Sequence, residues 1–450
     1  MAHDTPSTSA RSTVRPSRRS IIGLLAAVPL AGAGILVASE DADANADART
    51  AAAEGTARGD TRADRDTRSP GPIPAGLRPG GELDRFVANL AARDEFSGTL
   101  LITRRGRTVL SRAYGMADRR RDVPITPDTL FALASVTKLF TAVAVAQLVQ
   151  RGRLSYASTV GTYLDGLPAE IADHVTLHHL LTHTSGLGNH QQAPGFEEAA
   201  ATWTTADQVM DGTLDFIRRM PLSFAPGAAN LYSNSGYHLL GTIVARVCGR
   251  SWFDYARERI FRPAGMADTD FVTAPRWRRD PGIAHPYVKQ PSGERVDDVA
   301  GRVFIGTPAG DAFSTASDMD RFARALLRDK LLAPPFTRTL LGGKLPLGLP
   351  TSGPPPKDPS PTGPSPTGPA DPPPGGGDPR PQAMFQCYGP IGAVLADRWT
   401  FGHGSGAPGE STGIEMFPHG EWVIVVLSNY DQDTVRPVVG MARRLVAVAG

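Results

Sequence analysis

The chain has 450 residues, in which 47 lysines and arginines nearly balance 45 acidic residues, for a formal net charge of +2. This balance, with no basic cluster beyond the N-terminus, excludes the charge pattern that a nucleic-acid-binding protein usually shows. The length and a hydrophobic fraction of 41% support one large folded domain, or two ordinary ones, plus tails.

The first 44 residues have the pattern of an export signal. Arg18 and Arg19 form a twin-arginine pair, an apolar run follows over 21–38, and small residues at 42–44 offer a cleavage site. A run of about 18 residues is borderline for spanning a bilayer, so an uncleaved membrane anchor is the alternative to the cleaved signal that we favour. The pattern predicts an exported protein, extracellular or associated with the cell wall.

Residues 45–80 contain few large apolar side chains, which predicts a disordered tether before a folded region over 81–450. Apolar residues with helical spacing over 83–90 begin that region. Two strands over 96–103 and 108–115 follow, joined by a hairpin turn at 104–107.

The stretch 131–152 predicts a helix of about five turns that ends at Gly152 and is apolar on nearly all sides, hence buried. Ser135 and Lys138 lie on one face of its first turn. Burial and the positive end of the helix both disfavour a protonated lysine, so a neutral Lys138 could activate Ser135 as a nucleophile. This stretch alone leaves a second interpretation open, in which Ser135 caps the helix and Lys138 is solvated.

The region from 154 to about 265 is helical and rich in loops. His179 and His183 have the spacing of a zinc-binding helix, but Leu180 stands where that motif has glutamate. We therefore expect helix packing and loop hydrogen bonding from these histidines, and neither a metal nor a cofactor. Tyr232 and Asn234 lie at or just before the start of another predicted helix.

Residues 346–383 form a Pro- and Gly-rich stretch with a short tandem repeat, which predicts an extended insertion on the surface. Strand patterns over 399–406, 412–417 and 422–427 follow, and then a helix over 435–448. Strands at both ends with helices between them indicate one α/β domain whose sheet joins the two ends of the chain. Whether Cys248 and Cys387 form a disulfide stays open.

Three clusters now stand in chain order: Ser135-Val-Thr-Lys138, Tyr232-Ser-Asn234 and His403-Gly-Ser405. Together with the segments 180–186 and 425–429, they resemble the serine β-lactamase and D-alanyl-D-alanine carboxypeptidase superfamily. The class C-like branch, which includes D-aminopeptidases and related esterases, is the most similar. The resemblance covers roughly 83–348 and 384–450. It implies a β-lactamase/transpeptidase-like α/β fold, with a central antiparallel sheet from the N- and C-terminal parts, flanking helices and an inserted helical region.

The resemblance also implies the roles of the site residues in a serine hydrolase domain over 81–450. Ser135 would be the acylated nucleophile and Lys138 its proton acceptor. Tyr232 would share a proton with Lys138 and act as general acid and base. Asn234 would hold the substrate amide, and His403 would orient Tyr232 or the substrate.

The third cluster departs from the family pattern. The N–H groups of Ser135 and Gly406 would form the oxyanion hole, but Ser405 stands where the family has glycine, and its side chain could narrow the cleft or tilt the strand. His403 replaces a lysine, and a neutral imidazole attracts the carboxylate of a β-lactam less than a cation does.

We therefore expect a carboxypeptidase, D-aminopeptidase or esterase type of hydrolase, acting on a small-molecule or peptide substrate such as a cell-wall peptide. The alternatives are a penicillin-binding sensor or scaffold with negligible turnover, and a true β-lactamase. A nucleic-acid partner is not expected, and the membrane is a partner only through an uncleaved signal.

Overall fold

The computed structural model describes residues 71–348 and 381–448, which fall within the unit Arg68–Gly450. The predicted export signal over 1–44, most of the predicted tether and the central part of the predicted insertion lie outside the described residues.

Strands from the N- and C-terminal parts of the chain form one eight-stranded sheet. The strand order is β2-β1-β14-β13-β12-β11-β10-β9, and every neighbouring pair is antiparallel. The N-terminal strand β1 pairs with the C-terminal strand β14, with Gly98 opposite Ser428. This pairing confirms the predicted sheet. Its strands are β1 (Gly98–Arg104), β2 (Arg107–Tyr114), β9 (Leu345–Leu347), β10 (Ala383–Gln386), β11 (Ile391–Leu395), β12 (Arg398–Ala407), β13 (Glu410–Phe417) and β14 (Trp422–Ser428).

Within residues 71–348, three small two-stranded sheets lie in the connections. They are β3 (Met116–Asp118) with β4 (Val123–Pro124), β5 (Phe131–Ala132) with β8 (Phe313–Ser314), and β6 (Tyr287–Lys289) with β7 (Arg295–Asp297). The α-helices of the described residues are α1 (Glu82–Ala92), α2 (Lys138–Gln150), α3 (Ala169–Ala172), α4 (Leu177–Leu181), α5 (Phe196–Ala200), α6 (Ala206–Arg218), α7 (Asn234–Cys248), α8 (Trp252–Ala256), α9 (Arg262–Ala264), α10 (Ala274–Trp277), α11 (Ala316–Leu327), α12 (Pro334–Leu341) and α13 (Arg436–Ala447).

The two faces of the sheet contact different helices. Side chains alternate between the faces of a strand, so Leu100 and Ile102 of β1 pack with the terminal helices α1 and α13, while Leu101 packs with the inserted helical region. Side chains of β14 alternate in the same way, because Ile424 packs with α1 and α13 while Val425 packs with the inserted helical region. The sheet therefore lies between a layer of two terminal helices and the larger helical region.

The central helix is shorter than predicted. It begins as a 3-10 turn, Ala134–Thr137, and continues as α2, whereas Phe131–Ala132 is strand β5. Ala134 has a φ of 43°, in the left-handed region. A right-handed helix therefore cannot extend through Ala134 to the residues before it. The predicted end is confirmed: Gly152, with a φ of 67°, follows the helix. All-round burial is also confirmed, since every residue from 138 to 148 is buried.

Two predicted boundaries need correction. Residues 71–80, assigned to the tether, include the 3-10 turn Ala75–Leu77, and Leu77 is fully buried against the layer of α1 and α13. The described ends of the predicted insertion, 346–348 and 381–383, contain strand residues, because β9 pairs with β10. The insertion therefore connects two neighbouring antiparallel strands at the edge of the sheet.

Cys248 and Cys387 are both free thiols, so they do not form the disulfide that the sequence left open. Cys387 is buried, and burial raises the pKa of its thiol to about 11. Within 71–348 and 381–448, no helix combines the length and the apolar character needed to cross a membrane.

We expect Phe140→Ala to lower the free energy of unfolding by about 3–5 kcal/mol, because it leaves a cavity beside the central helix. The Phe140 ring is buried, with its centre 5.0 Å from that of Phe261 and 4.9 Å from that of Phe322. Urea unfolding followed by circular dichroism measures the loss. The exposed Val448→Ala is the control and should change stability by less than about 0.5 kcal/mol. Equal unfolding midpoints for the two variants would contradict the packing.

Candidate active site

The structure brings the three predicted catalytic side chains together at one oxygen. Ser135 lies in the 3-10 turn and Lys138 is the first residue of α2, which places Lys138 Nζ 2.8 Å from Ser135 Oγ. Tyr232, which precedes α7, donates its hydroxyl hydrogen to the same Oγ over 2.6 Å. Ser135 Oγ therefore lies between an amine and a phenol.

The surroundings of Lys138 favour an uncharged amine. The side chain has 0% exposure, and burial lowers its pKa well below the ordinary value of 10.5. Its Nζ lies 2.7 Å from Asn234 Oδ1 and 2.5 Å from the carbonyl oxygen of Ala309. A neutral amine has two N–H groups and one lone pair. When the two oxygens accept the N–H groups, the lone pair is left for the hydroxyl hydrogen of Ser135, which is the geometry of a general base.

Tyr232 is held by the start of α7 and by a histidine. Ser233 caps the helix, since its hydroxyl accepts from the N–H of Gly236, and His183 Nδ1 accepts from the N–H of Ser233 over 3.1 Å. The His183 ring stacks on Tyr232 with ring centres 4.5 Å apart. Burial raises the pKa of Tyr232 above its ordinary value, so the phenol stays protonated and remains a donor.

The contact between Lys138 and Tyr232 runs through Ser135. Lys138 Nζ lies 4.8 Å from the centre of the Tyr232 ring, and both side chains bond to Ser135 Oγ. The predicted proton exchange between them stays a prediction, with Ser135 Oγ as the atom that links the two groups.

Asn234 and Gly406 line the cavity into which Ser135 opens. The cavity has a volume of about 300 Å³ and both polar and apolar walls, the latter including Trp277 and Phe313. Asn234 Nδ2 lies 3.4 Å from Gln191 Oε1, also on the wall. These positions are compatible with the predicted contacts to a substrate amide and to an oxyanion.

The third cluster lies on β12, which packs against the 3-10 turn of Ser135. Strand β11 pairs with β12 only as far as Gly402, so the segment 403–407 has a strand partner on one side only. His403 is 5% exposed, and burial together with Lys138 lowers its pKa to about 3. The imidazole is therefore neutral. Within the described part of the chain its Nδ1 has no hydrogen-bond partner, and its predicted orienting role stays a prediction.

The serine that departs from the family pattern contacts the predicted nucleophile directly. The backbone N–H of Ser135 donates to Ser405 Oγ over 2.7 Å. One of the two predicted oxyanion donors is therefore occupied by a side chain of the protein. Whether Ser405 narrows the cleft or tilts the strand stays a prediction, and the structure adds a hydrogen bond from its hydroxyl oxygen to this donor.

Sequence reasoning did not identify several groups around the site. The Ala309 carbonyl and Gln191 come from loops without a readable motif, and His183 was assigned only packing and loop hydrogen bonding. Asp311 also lines the cavity, and burial raises its pKa. Arg302, on the same wall, forms an ion pair with Glu410, with Nη1 2.9 Å from Oε1. No motif in the sequence marks these residues, and their place at the site is visible only in the folded chain.

The histidines at 179 and 183 make separate local contacts. His179 Nδ1 accepts from the N–H of Thr176 and completes the cap of α4, and His183 contacts Ser233 and Tyr232 as described above. These bonds confirm the expected packing and loop roles. Within the part of the chain that the structure describes, no group of three or more His, Cys, Asp or Glu side chains could hold a metal ion.

The family model described as "Beta-lactamase" matches residues 83–448. The chain belongs to the beta-lactamase family. Penicillin-binding protein 4* of Bacillus subtilis (strain 168) is 31% identical over 265 residues, covering 56% of each chain. Esterase EstB of Burkholderia gladioli is 37% identical over 224 residues, covering 47% of this chain and 56% of the relative. The chain thus spans little more than half the length of these curated relatives of the beta-lactamase family.

Solved structures confirm the fold. A penicillin-binding protein from Bacillus halodurans has a TM-score of 0.63 at 24% identity, covering 79% of this chain and 99% of that chain. A D-amino acid amidase from Ochrobactrum anthropi SV3 has a TM-score of 0.59 at 21% identity, covering 82% and 96%. Both share the β-lactamase/transpeptidase-like architecture of this chain.

We expect Lys138→Met to slow acylation of Ser135 by about 10²–10⁴-fold, because it removes the general base. In the wild-type protein the acylation rate should fall as the pH drops through the pKa of Lys138, since protonation fills the lone pair. The midpoint should lie below the ordinary lysine value of 10.5. The initial burst of p-nitrophenol from an acetate ester measures the rate across pH. The exposed Lys330→Met is the matched control, and a full burst from Lys138→Met would contradict the assignment.

Proposed function

We propose that the protein is an exported serine hydrolase that forms an acyl-enzyme at Ser135 with an amide or ester substrate. The observation that carries this proposal is the pair of contacts at Ser135 Oγ, where a buried uncharged lysine can accept the proton and a protonated tyrosine donates a hydrogen bond.

The contacts support a complete acylation step. Ser135 Oγ attacks the carbonyl carbon while its proton moves to Lys138 Nζ. The bond from carbon to the leaving nitrogen or oxygen then breaks, and Tyr232 donates a proton to the leaving atom. Lys138 then returns a proton to Tyr232, next to Ser135 Oγ. Oxyanion donors at the N–H groups of Ser135 and Gly406 would each contribute about 2.7–4 kcal/mol in the transition state. Water then attacks the acyl carbon with the same proton transfers, and the bond from this carbon to Ser135 Oγ breaks to release the acid.

The proposed reaction types are D-alanyl-D-alanine carboxypeptidase, D-aminopeptidase and esterase, with a small molecule or a cell-wall peptide as substrate. Relatives named as a penicillin-binding protein and an esterase support these types. A true β-lactamase is less well supported, because His403 is neutral and provides no cation for a β-lactam carboxylate.

A penicillin-binding sensor or scaffold with negligible turnover is the second candidate. The hydrogen bond from the Ser135 N–H to Ser405 Oγ favours it, because an occupied oxyanion donor slows every step that passes through a tetrahedral intermediate.

We expect the wild-type protein to gain one covalent adduct from a fluorophosphonate and from penicillin, detected by intact-mass spectrometry. Ser135→Ala should gain none, because it lacks the nucleophile. Ser292→Ala, at an exposed serine, is the matched control and should be labelled like the wild type. An unlabelled wild-type protein, or equal labelling of Ser135→Ala, would contradict the proposed function.

Turnover on the same protein separates the two candidates. A panel of p-nitrophenyl esters, D-alanyl-D-alanine peptides and a chromogenic cephalosporin should yield many equivalents of product from at least one ester or peptide. Release that stops after one equivalent with every compound would favour the sensor instead.

The proposed export rests on residues 1–44 and has its own test. We expect Arg18→Lys together with Arg19→Lys to retain the protein in the cytoplasm, because the paired arginines form the predicted recognition element. Cell fractionation followed by immunoblotting measures the distribution. Arg11→Lys, outside the pair, is the control, and unchanged export of the double variant would overturn the twin-arginine assignment.

A further inference from the structure

The side chain of Ser405 occupies the place that a substrate oxygen needs. Its Oγ lies 2.7 Å from the backbone nitrogen of Ser135, within the range of about 2.7–3.1 Å that separates an oxyanion from its donors. The residue is 9% exposed. In the resting protein, an oxygen of the protein itself therefore takes up this hydrogen-bond donor.

The backbone around Ser405 is held in place by its pairing with β13. Ser405 is paired with Thr412 across β12 and β13, and Thr412 Oγ1 donates to the carbonyl oxygen of Leu133 over 3.0 Å. Leu133 comes two residues before Ser135, so the strand pair is joined to the turn that carries the nucleophile. Because the backbone is fixed in this way, the Ser135 N–H becomes free only when the Ser405 side chain turns to another staggered rotamer.

The neighbouring residues on β12 make this arrangement specific to one side chain. Gly404 and Gly406 flank Ser405 and have no side chain to place near the nucleophile, and Gly406 lines the same cavity as Ser135. His403 lies on the same face of the strand as Ser405 but carries no hydroxyl. Among these residues of β12, the hydroxyl of Ser405 is therefore the group that determines whether the Ser135 N–H is free or hydrogen-bonded.

We propose that Ser405 is a displaceable oxyanion-hole residue that limits the rate of acylation, an inference that rests on the proposed function of Ser135 as the nucleophile. Its hydroxyl accepts from the Ser135 N–H in the free protein. It rotates away when a carbonyl oxygen of the substrate enters. The substrate must therefore compete with a hydrogen bond inside the protein before it is activated.

The test compares four variants in the full chain. Ser405→Ala and Ser405→Gly both remove the hydroxyl, the first with the β-carbon retained. Ser405→Thr keeps a hydroxyl at this position. Thr400→Ala is the matched control, because Thr400 lies on the same strand but bonds Glu415 through its hydroxyl, away from the nucleophile. The second-order rate of Ser135 acylation by a p-nitrophenyl ester, and the affinity for an aryl boronic acid that adds to Ser135, are measured for each.

We expect Ser405→Ala and Ser405→Gly to raise both the acylation rate and the boronate affinity about threefold to tenfold, the factor that corresponds to the net loss of one hydrogen bond. Ser405→Thr and Thr400→Ala should stay within about twofold of the wild type. A purely structural role would lower the thermal midpoint of unfolding without raising boronate affinity.

Unchanged or slower acylation in both hydroxyl-free variants would overturn the inference, and a loss of more than tenfold would show that the hydroxyl is itself an oxyanion donor. If Ser405→Ala does not fold, Ser405→Gly decides the question. A wild-type protein that is not acylated at Ser135 would overturn the proposed function, whereas a wild-type adduct without faster Ser405 variants would overturn this inference alone.

Discussion

The burial of one amine is the constraint on which the rest of the site depends. Lys138 is enclosed by the protein, and without desolvation it would be protonated and could not accept a proton. The helix that carries it is buried at every residue from 138 to 148, so burial, rather than a neighbouring cation, is what lowers the pKa of Lys138. Two oxygens, from Asn234 and Ala309, then satisfy the N–H groups that burial would otherwise leave without partners.

The sheet supplies the second constraint, which is register. The N–H of Ser135 and the hydroxyl of Ser405 are 270 positions apart in the sequence, and the pairing of β12 with β13 brings them into contact. A slip of one residue along this pair would turn Ser405 and His403 toward α13 and away from the nucleophile. The site therefore requires that the sheet, built from both ends of the chain, forms in one register.

The electrostatic character of the site follows from these two constraints. Burial shifts the pKa values of Lys138, Tyr232 and His403 in the direction that favours their uncharged forms. The cavity wall also carries Arg302 and Asp311, and burial raises the pKa of the Asp311 carboxyl. A cavity in which the reacting groups are neutral favours proton transfer between them, because no step requires a buried net charge to persist.

Elements with local signals could be predicted from the sequence. Periodicity predicted the strands contributed by the two ends of the chain and the terminal helices, Gly152 predicted the end of α2, and three ordered motifs indicated the family and the candidate nucleophile. Three features became visible in the folded chain and have no local signal. The turn of Ser135 is a 3-10 turn after the left-handed Ala134, β9, β10 and β11 extend the sheet, and the insertion joins two paired strands.

Packing between distant elements also sets which atoms surround Ser135. The Ala309 carbonyl, the stacked ring of His183 and the hydroxyl of Ser405 reach Ser135 or its partners from loops and strands far along the chain. Spacing predicts a contact only between residues on one helix or one strand, because only there is the distance set by backbone geometry. Contacts between elements depend on packing. A motif therefore predicts the candidate reacting residues but not which other groups contact them in the folded protein.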